Sequence, residues 1–201
     1  MHKFLLITLA IFILSCNQPQ YKNPHILINT QFGDIEVELF PEQAPKTVTA
    51  FLSYIDSGFY TNSSFYRVLK AEELPTNNNT GIIQGGIWQT KPDKLIVIPG
   101  IEHETTRQTG LTHESGVISL ARATPGSANT EFFICIGDQT QLDYGGDGAE
   151  DGHGFAAFGK VFKGMPIVRK IQARNSSGDK FDEKIIIKKI INFIRIEKKR
   201  N

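Results

Sequence analysis

Cysteine, methionine and tryptophan are scarce: the 201-residue chain has two Cys, two Met and one Trp. Two cysteines, Cys16 and Cys135, exclude a disulfide-dense scaffold. Charge of one sign is also lacking. With 22 basic and 21 acidic residues the net charge is +1, so no long-range field draws the chain to nucleic acid. No apolar run reaches the about 20 residues that a membrane-spanning helix needs. There is no Gly-x-Ser-x-Gly elbow and no phosphate-binding glycine loop. His103-Glu104-Thr105-Thr106-Arg107 lacks the second histidine of a zinc-protease motif. Residues 147–152 (DGAEDG) have the composition of a calcium loop without its alternating ligands. No metal and no cofactor are therefore expected. What is present is the ordinary material of a globular domain: 40% hydrophobic residues, enough Ile, Leu, Val and Phe to exclude disorder.

The N-terminus reads as a processing signal. Lys3 gives a positive head and residues 4–14 are apolar apart from Thr8, too short to span a bilayer but suited to a secretory leader. Ile13-Leu14-Ser15-Cys16 resembles a bacterial lipobox, which implies cleavage before Cys16 and lipidation there; the plainer alternative is a signal peptide with an incidental cysteine. The expected organisation is a leader over 1–15, a lipid-anchored polar tether over 16–24, one domain over 25–197 and a basic tail over 198–201. The lipobox implies a bacterial cell envelope, with the protein expected on the outer membrane facing the periplasm. Cys135, in the run FFICI, reads as a buried small hydrophobe.

Residues 34–40 (DIEVELF) alternate, with Ile35, Val37 and Leu39 on one face and Glu36 and Glu38 on the other. Period two predicts a half-buried strand, and Gly33 a hairpin turn back to the strand of residues 25–30. Over 44–60, Pro45 suits a first helical turn, Val48, Phe51, Leu52 and Ile55 keep helical spacing, and Gly58 predicts the stop. Further strands are expected at 64–69, 81–85, 116–121, 130–136 and 156–162, a short helix at 165–171, and one or two β-branched strands over 181–196. Many short strands with two helices predict a mainly β, closed or nearly closed barrel.

Three segments then carry a resemblance: SFYRV (64–68) followed by IQGG (83–86); GVISLAR (116–122) followed by TEFFI (130–134); and Leu142-Asp143 followed by FGKVFKGM (158–165). In this order they resemble the cyclophilin family of peptidyl-prolyl isomerases, from about His25 to Ile196. The resemblance implies an eight-stranded antiparallel barrel capped by two α-helices, with a substrate groove on its outer face. It implies Pro-containing unfolded or extended polypeptides as partners, with the chain acting as a monomer. It assigns Arg67, Gln84 and Phe133 as the catalytic set. Ile82, Ala121, the backbone of Arg122, Glu131, Leu142 and Phe155 fall at substrate-binding positions.

The chemistry suits those residue types. An X–Pro amide resists rotation with a barrier of about 18–20 kcal/mol. A fixed cation aimed at the proline nitrogen stabilises the twisted amide more than the planar one, and an arginine is always charged and a multiple donor. Gln84 suits a substrate carbonyl and Phe133 a proline ring.

The chain also departs from the family. Gly81 stands where a bulky apolar residue is common, so one wall of the proline pocket is expected to be missing. Glu131 replaces a glutamine, Gln141 an aromatic residue that binds cyclosporin when it is Trp, and Phe155 a His or Tyr. Arg67 and Gln84 stand 17 positions apart, which predicts an inserted surface loop near the groove. Reduced isomerase activity is expected. A cyclophilin-shaped binding module or holdase with little turnover is the competing reading.

Overall fold

A computed structural model describes residues 22–73, 78–95 and 97–194. The leader and Cys16 lie outside the described residues, as do residues 195–201. Strands β1 (His25–Thr30), β2 (Gly33–Leu39), β3 (Ser63–Glu73), β4 (Asn78–Gly86), β5 (Val117–Leu120), β6 (Phe132–Ile136), β7 (Ala156–Lys163), β8 (Ser176–Ser177) and β9 (Lys180–Ile194) alternate with α1 (Pro45–Asp56), α2 (Pro92–Leu95), α3 (Thr106–Thr109) and α4 (Met165–Gln172).

The sheet runs β1-β2-β7-β5-β6-β4-β3-β9, all pairs antiparallel, and β1 pairs with β9 to close it. This is the expected eight-stranded barrel; β8 is only a two-residue stub on β9. Closure removes the unpaired edges that an open sheet would expose.

Alternation sorts each strand. Ile35, Val37 and Leu39 point into the core, together with Phe65, Val68, Ile83, Ile118, Phe132, Ile134 and Phe158. The two longer helices close opposite ends. Phe51 of α1 meets Phe132 and Phe158 at centroid distances of 5.6 and 4.9 Å, near the Gly85 end of β4. Gln172 of α4 donates to the carbonyls of Leu69 and Thr80, beside the Gly81 end. Glu104 accepts from the Lys46 and Thr47 amides, so a distant carboxylate serves the N-terminus of α1.

Three local expectations differ from the structure. Glu36, read as solvent-facing, is 8% exposed, because His25 hydrogen-bonds it at 2.9 Å and Lys163 approaches at 3.7 Å. The inserted residues form no loop up to Glu73: β3 and β4 pair on, from Lys70↔Gly81 through Glu73↔Asn78. Backbone pairing needs no apolar side chains, so a polar stretch extends a hairpin as well as an apolar one. Its connection, 74–77, lies outside the described residues. Finally, Gly81 is no missing wall. Its φ is +126°, and a Cβ there would lie 2.1 Å from the Leu69 carbonyl oxygen. A side chain at 81 would enter the β3 backbone rather than the groove.

Candidate active site

Arg67, Gln84 and Phe133 stand side by side on adjacent strands. Arg67 pairs with Gln84 across β3–β4, and Gln84 with Phe133 across β4–β6. Their sequence neighbours Val68, Ile83, Phe132 and Ile134 fill the barrel, so period two places the three on its outer face. The next outward residues, Ile82 and Cys135, are also cross-strand partners. Ile82, Phe133 and Cys135 form one apolar cluster, joined by Ala121, Leu142 and Phe155. Phe133 is 2% exposed and Ile82 5%, so the apolar seat is shallow.

Hydrogen bonds fix the polar half. Arg67 donates from Nε to Asp179 at 2.7 Å and from Nη1 to Gln84 Oε1 at 3.1 Å. Gln84 Nε2 donates to the Tyr66 hydroxyl at 2.9 Å, and that hydroxyl donates to Glu131 Oε2 at 2.7 Å. The other Glu131 oxygen accepts from the Ile87 and Trp88 amides at 2.7 and 3.0 Å. A carboxylate only accepts, so Tyr66 must give it its proton and take one from Gln84. Gln84 then turns its oxygen to Arg67, and Glu131 sets the direction of the whole chain of bonds. Burial, helped by the Glu131 charge, holds the Tyr66 phenol far above its usual range, so the proton stays. Burial also raises the Glu131 carboxyl, against four hydrogen bonds that lower it. Gly86, at φ +149°, makes room: a Cβ there would meet the Glu131 carboxylate at 2.3 Å.

Beneath Phe133 lies a second network. The His113 ring stacks on Phe133 at 5.9 Å, with Phe155 edge-on to both. His113 Nδ1 lies 2.7 Å from Asp143 and Nε2 3.1 Å from the Ser119 hydroxyl. The carboxylate accepts from Nδ1–H, which leaves Nε2 to accept from the Ser119 hydroxyl. Ser119 and His113 are both 0% exposed, so this Ser-His-Asp order supports the aromatic floor and meets no substrate.

The sequence-derived site residues thus fall into groups. Arg67 and Gln84 bond directly, and Phe133, Ile82, Ala121, Leu142 and Phe155 share one patch. Glu131 lies under this surface with both oxygens engaged inside the protein. The Arg122 side chain, 1% exposed, forks onto Asp151 at 2.6 and 2.7 Å, reaches the Gly154 carbonyl and lies over Phe155. Residues 147–152 lie mostly exposed, and Asp151 among them holds Arg122. Gln141 is exposed and bonds Gln139. His103 contacts the His153 carbonyl, and no group of three His, Cys, Asp or Glu suited to a metal occurs among the described residues.

Four contributors were not assigned roles from sequence: Tyr66, Trp88, His113 and Asp179. Trp88 follows the Gly85-Gly86 pair as the only tryptophan, which was the one available signal.

A family model described as cyclophilin type peptidyl-prolyl cis-trans isomerase/CLD matches residues 25–192. The chain belongs to this family. Peptidyl-prolyl cis-trans isomerase A of Dickeya dadantii is 34% identical over 148 residues, 73% of this chain and 70% of that protein. Isomerase B of Escherichia coli is 32% identical over 155 residues, 73% and 83% respectively. A cyclophilin-type isomerase of Cryptosporidium parvum, crystallised in the presence of the dipeptide Ala-Pro, superposes with a TM-score of 0.66 at 26% identity, covering 85% of this chain and 99% of that one. The cyclophilin barrel and the outer-face row Arg67–Gln84–Phe133 are thus seen in a chain whose relatives carry the isomerase name.

Proposed function

We propose that this cyclophilin is a peptidyl-prolyl cis-trans isomerase that assists the folding of exported proteins, with Arg67 stabilising the twisted X–Pro amide. The observation that carries the reading is the row Arg67–Gln84–Phe133, a fixed cation beside an amide donor and an aromatic wall. As the amide twists, the proline nitrogen loses conjugation and gains a lone pair. Arg67 is held at Nε and Nη1, and its Nη2 makes no hydrogen bond to the described residues. Nη2 is the donor aimed at that lone pair, and its contribution grows as the amide leaves planarity. Gln84, with one Nε2 hydrogen given to Tyr66, keeps the other for the substrate carbonyl. The proline ring rests on Phe133, Ile82, Leu142 and Phe155, and the backbone at Ala121–Arg122 holds the adjoining chain. No bond is made or broken.

Isomerisation of a short Ala-Pro peptide tests this. Arg67→Ala is expected to lower kcat/KM at least about tenfold, or 1.4 kcal/mol of barrier, and Arg67→Lys to do poorly for want of the planar fork. Undiminished turnover in Arg67→Ala removes Arg67 from the mechanism. A binding module without useful turnover is the second reading, favoured by the shallow seat and by the Asp179 carboxylate on Arg67. Peptide binding with no turnover in the unaltered protein decides for it.

The lipobox supports an anchor at Cys16 on the periplasmic face of the outer membrane, since several acyl chains hold stably where one does not. Cys16→Ser is expected to lose fatty-acid labelling and leave the membrane fraction; equal labelling rejects the anchor.

A further inference from the structure

Beyond Arg67, on the side away from Phe133, the groove opens into a pocket of about 320 Å³ lined by Tyr66, Arg67, Gln84, Trp88, Asp179 and Lys180. Trp88 is 49% exposed, yet its position is fixed. Its amide is held by Glu131, and its ring packs on Tyr66 at 5.4 Å. A rigid indole half open to water beside the reacting site costs little entropy to use as a contact surface. The proline seat, by contrast, exposes almost nothing of Phe133 or Ile82.

Resting on the isomerase reading above, we infer that Trp88 and Tyr66 form a specificity wall for the substrate residue flanking proline on the side away from Ala121, and that the wall selects an aromatic side chain. The pocket's charges disfavour a cationic side chain: Arg67 and Asp179 already pair, which leaves Lys180 as the uncompensated charge of the lining. An anionic side chain gains only an exposed, solvent-screened pair with Lys180. A neutral ring needs no counter-charge, stacks on the indole and lies along the guanidinium plane.

The test uses two series of proline pentapeptides, one carrying Phe, Ala, Lys or Asp immediately before proline and one immediately after. Calorimetry gives affinities for the unaltered protein, Trp88→Ala and Trp88→Phe, with isomerisation of the Ala peptides followed in parallel. At one of the two flanks the unaltered protein is expected to prefer Phe over Ala, Lys and Asp by roughly tenfold, an aromatic contact of about 1.4 kcal/mol. Trp88→Ala is expected to lose that preference and Trp88→Phe to keep most of it. Circular dichroism confirms that both variants fold. A preference of unchanged size in Trp88→Ala, or no Phe preference at either flank, overturns the wall. Binding needs no turnover, so a Trp88-dependent preference without isomerisation supports the wall and overturns the isomerase reading alone.

Discussion

The Nε–H of Arg67 donates to Oδ2 of Asp179 at 2.7 Å, so the groove's cation is already paired before any peptide arrives. Asp179 sits in the turn between β8 and β9, where its backbone carbonyl also accepts from the Val68 amide at 2.8 Å. Its carboxyl is held below the usual range by the Arg67 bond. The ion pair therefore persists at neutral pH and breaks only as pH falls through that lowered value. The side chains are 39% and 44% exposed, so solvent screens the pair and keeps the coupling weak. Gln84 still orients Arg67 if the pair is weakened.

Asp179→Asn keeps an acceptor for Nε and removes the charge. It is expected to raise kcat/KM by up to about fivefold at low ionic strength, with the gain fading as salt screens the pair in the unaltered protein. Steady-state turnover across an ionic-strength series measures this. A loss as large as that of Arg67→Ala would show instead that the carboxylate is needed to place the guanidinium.

Filling position 81 is expected to harm the fold rather than repair the pocket. Gly81 has φ +126°, and its absent Cβ would sit 2.1 Å from a backbone carbonyl oxygen. Backbone strain of this kind costs about 1–3 kcal/mol, and the clash with β3 adds to it. Gly81→Ala should lower the thermal midpoint by several degrees, and Gly81→Phe should lower it further or fail to fold. A Gly81→Phe protein with an unchanged midpoint would mean that the hairpin arm rearranges freely.

Acid is expected to loosen the aromatic floor. Burial lowers the His113 pKa from 6.5, more than the Asp143 bond and charge raise it. Between 6.5 and the lowered value the unfolded chain binds more protons than the folded one. Stability from this group is thus complete above 6.5 and lost as pH falls through the folded value. His103 is shifted the same way by burial, and Glu131, raised by burial, has the opposite slope. The comparison with His113→Gln therefore carries the test. Thermal midpoints from roughly pH 5 to 8 should converge at the acid end, the unaltered protein losing its advantage. A constant gap between the two proteins would place the titration elsewhere.

The parts of this site that were legible are those written within single strands. The resemblance carried by SFYRV, IQGG and TEFFI marks Arg67, Gln84 and Phe133, each within one strand motif. The hairpin arm escapes a sequence reading because Asn- and Thr-rich polarity reads as loop, whereas the pairing is made by backbone bonds that need no apolar pattern. Asp179 lies 112 positions from Arg67 and Asp143 lies 30 from His113, and no local period reports such partners. The resemblance places Glu131 at a substrate-binding position, whereas the structure engages both its oxygens inside the protein. The choice of a carboxylate has an internal reason, the two backbone amides, the phenol and the Thr130 hydroxyl that it accepts from.

Gln141 offers a way to test the rim of the groove independently of Arg67. It stands in a short 3-10 turn, Thr140–Leu142, is exposed, and its Nε2 bonds only Gln139, 2.9 Å away, among the described residues. Leu142, the next residue, belongs to the apolar patch that carries Phe133 and Phe155. A polar amide here adds no aromatic surface at position 141 to that patch, so the unaltered protein is expected to bind cyclosporin weakly. Gln141→Trp adds apolar surface at the rim and removes no buried partner. A contact of about 1–2 kcal/mol from the area covered corresponds to roughly 5- to 30-fold tighter binding. Calorimetric titration of both proteins with cyclosporin measures the difference, and the thermal midpoint should stay within about a degree because the position is solvent-facing. Equal affinity in the two proteins, or tight binding by the unaltered one, would show that residue 141 does not border the inhibitor and that Trp88 or the hairpin arm supplies the surface instead.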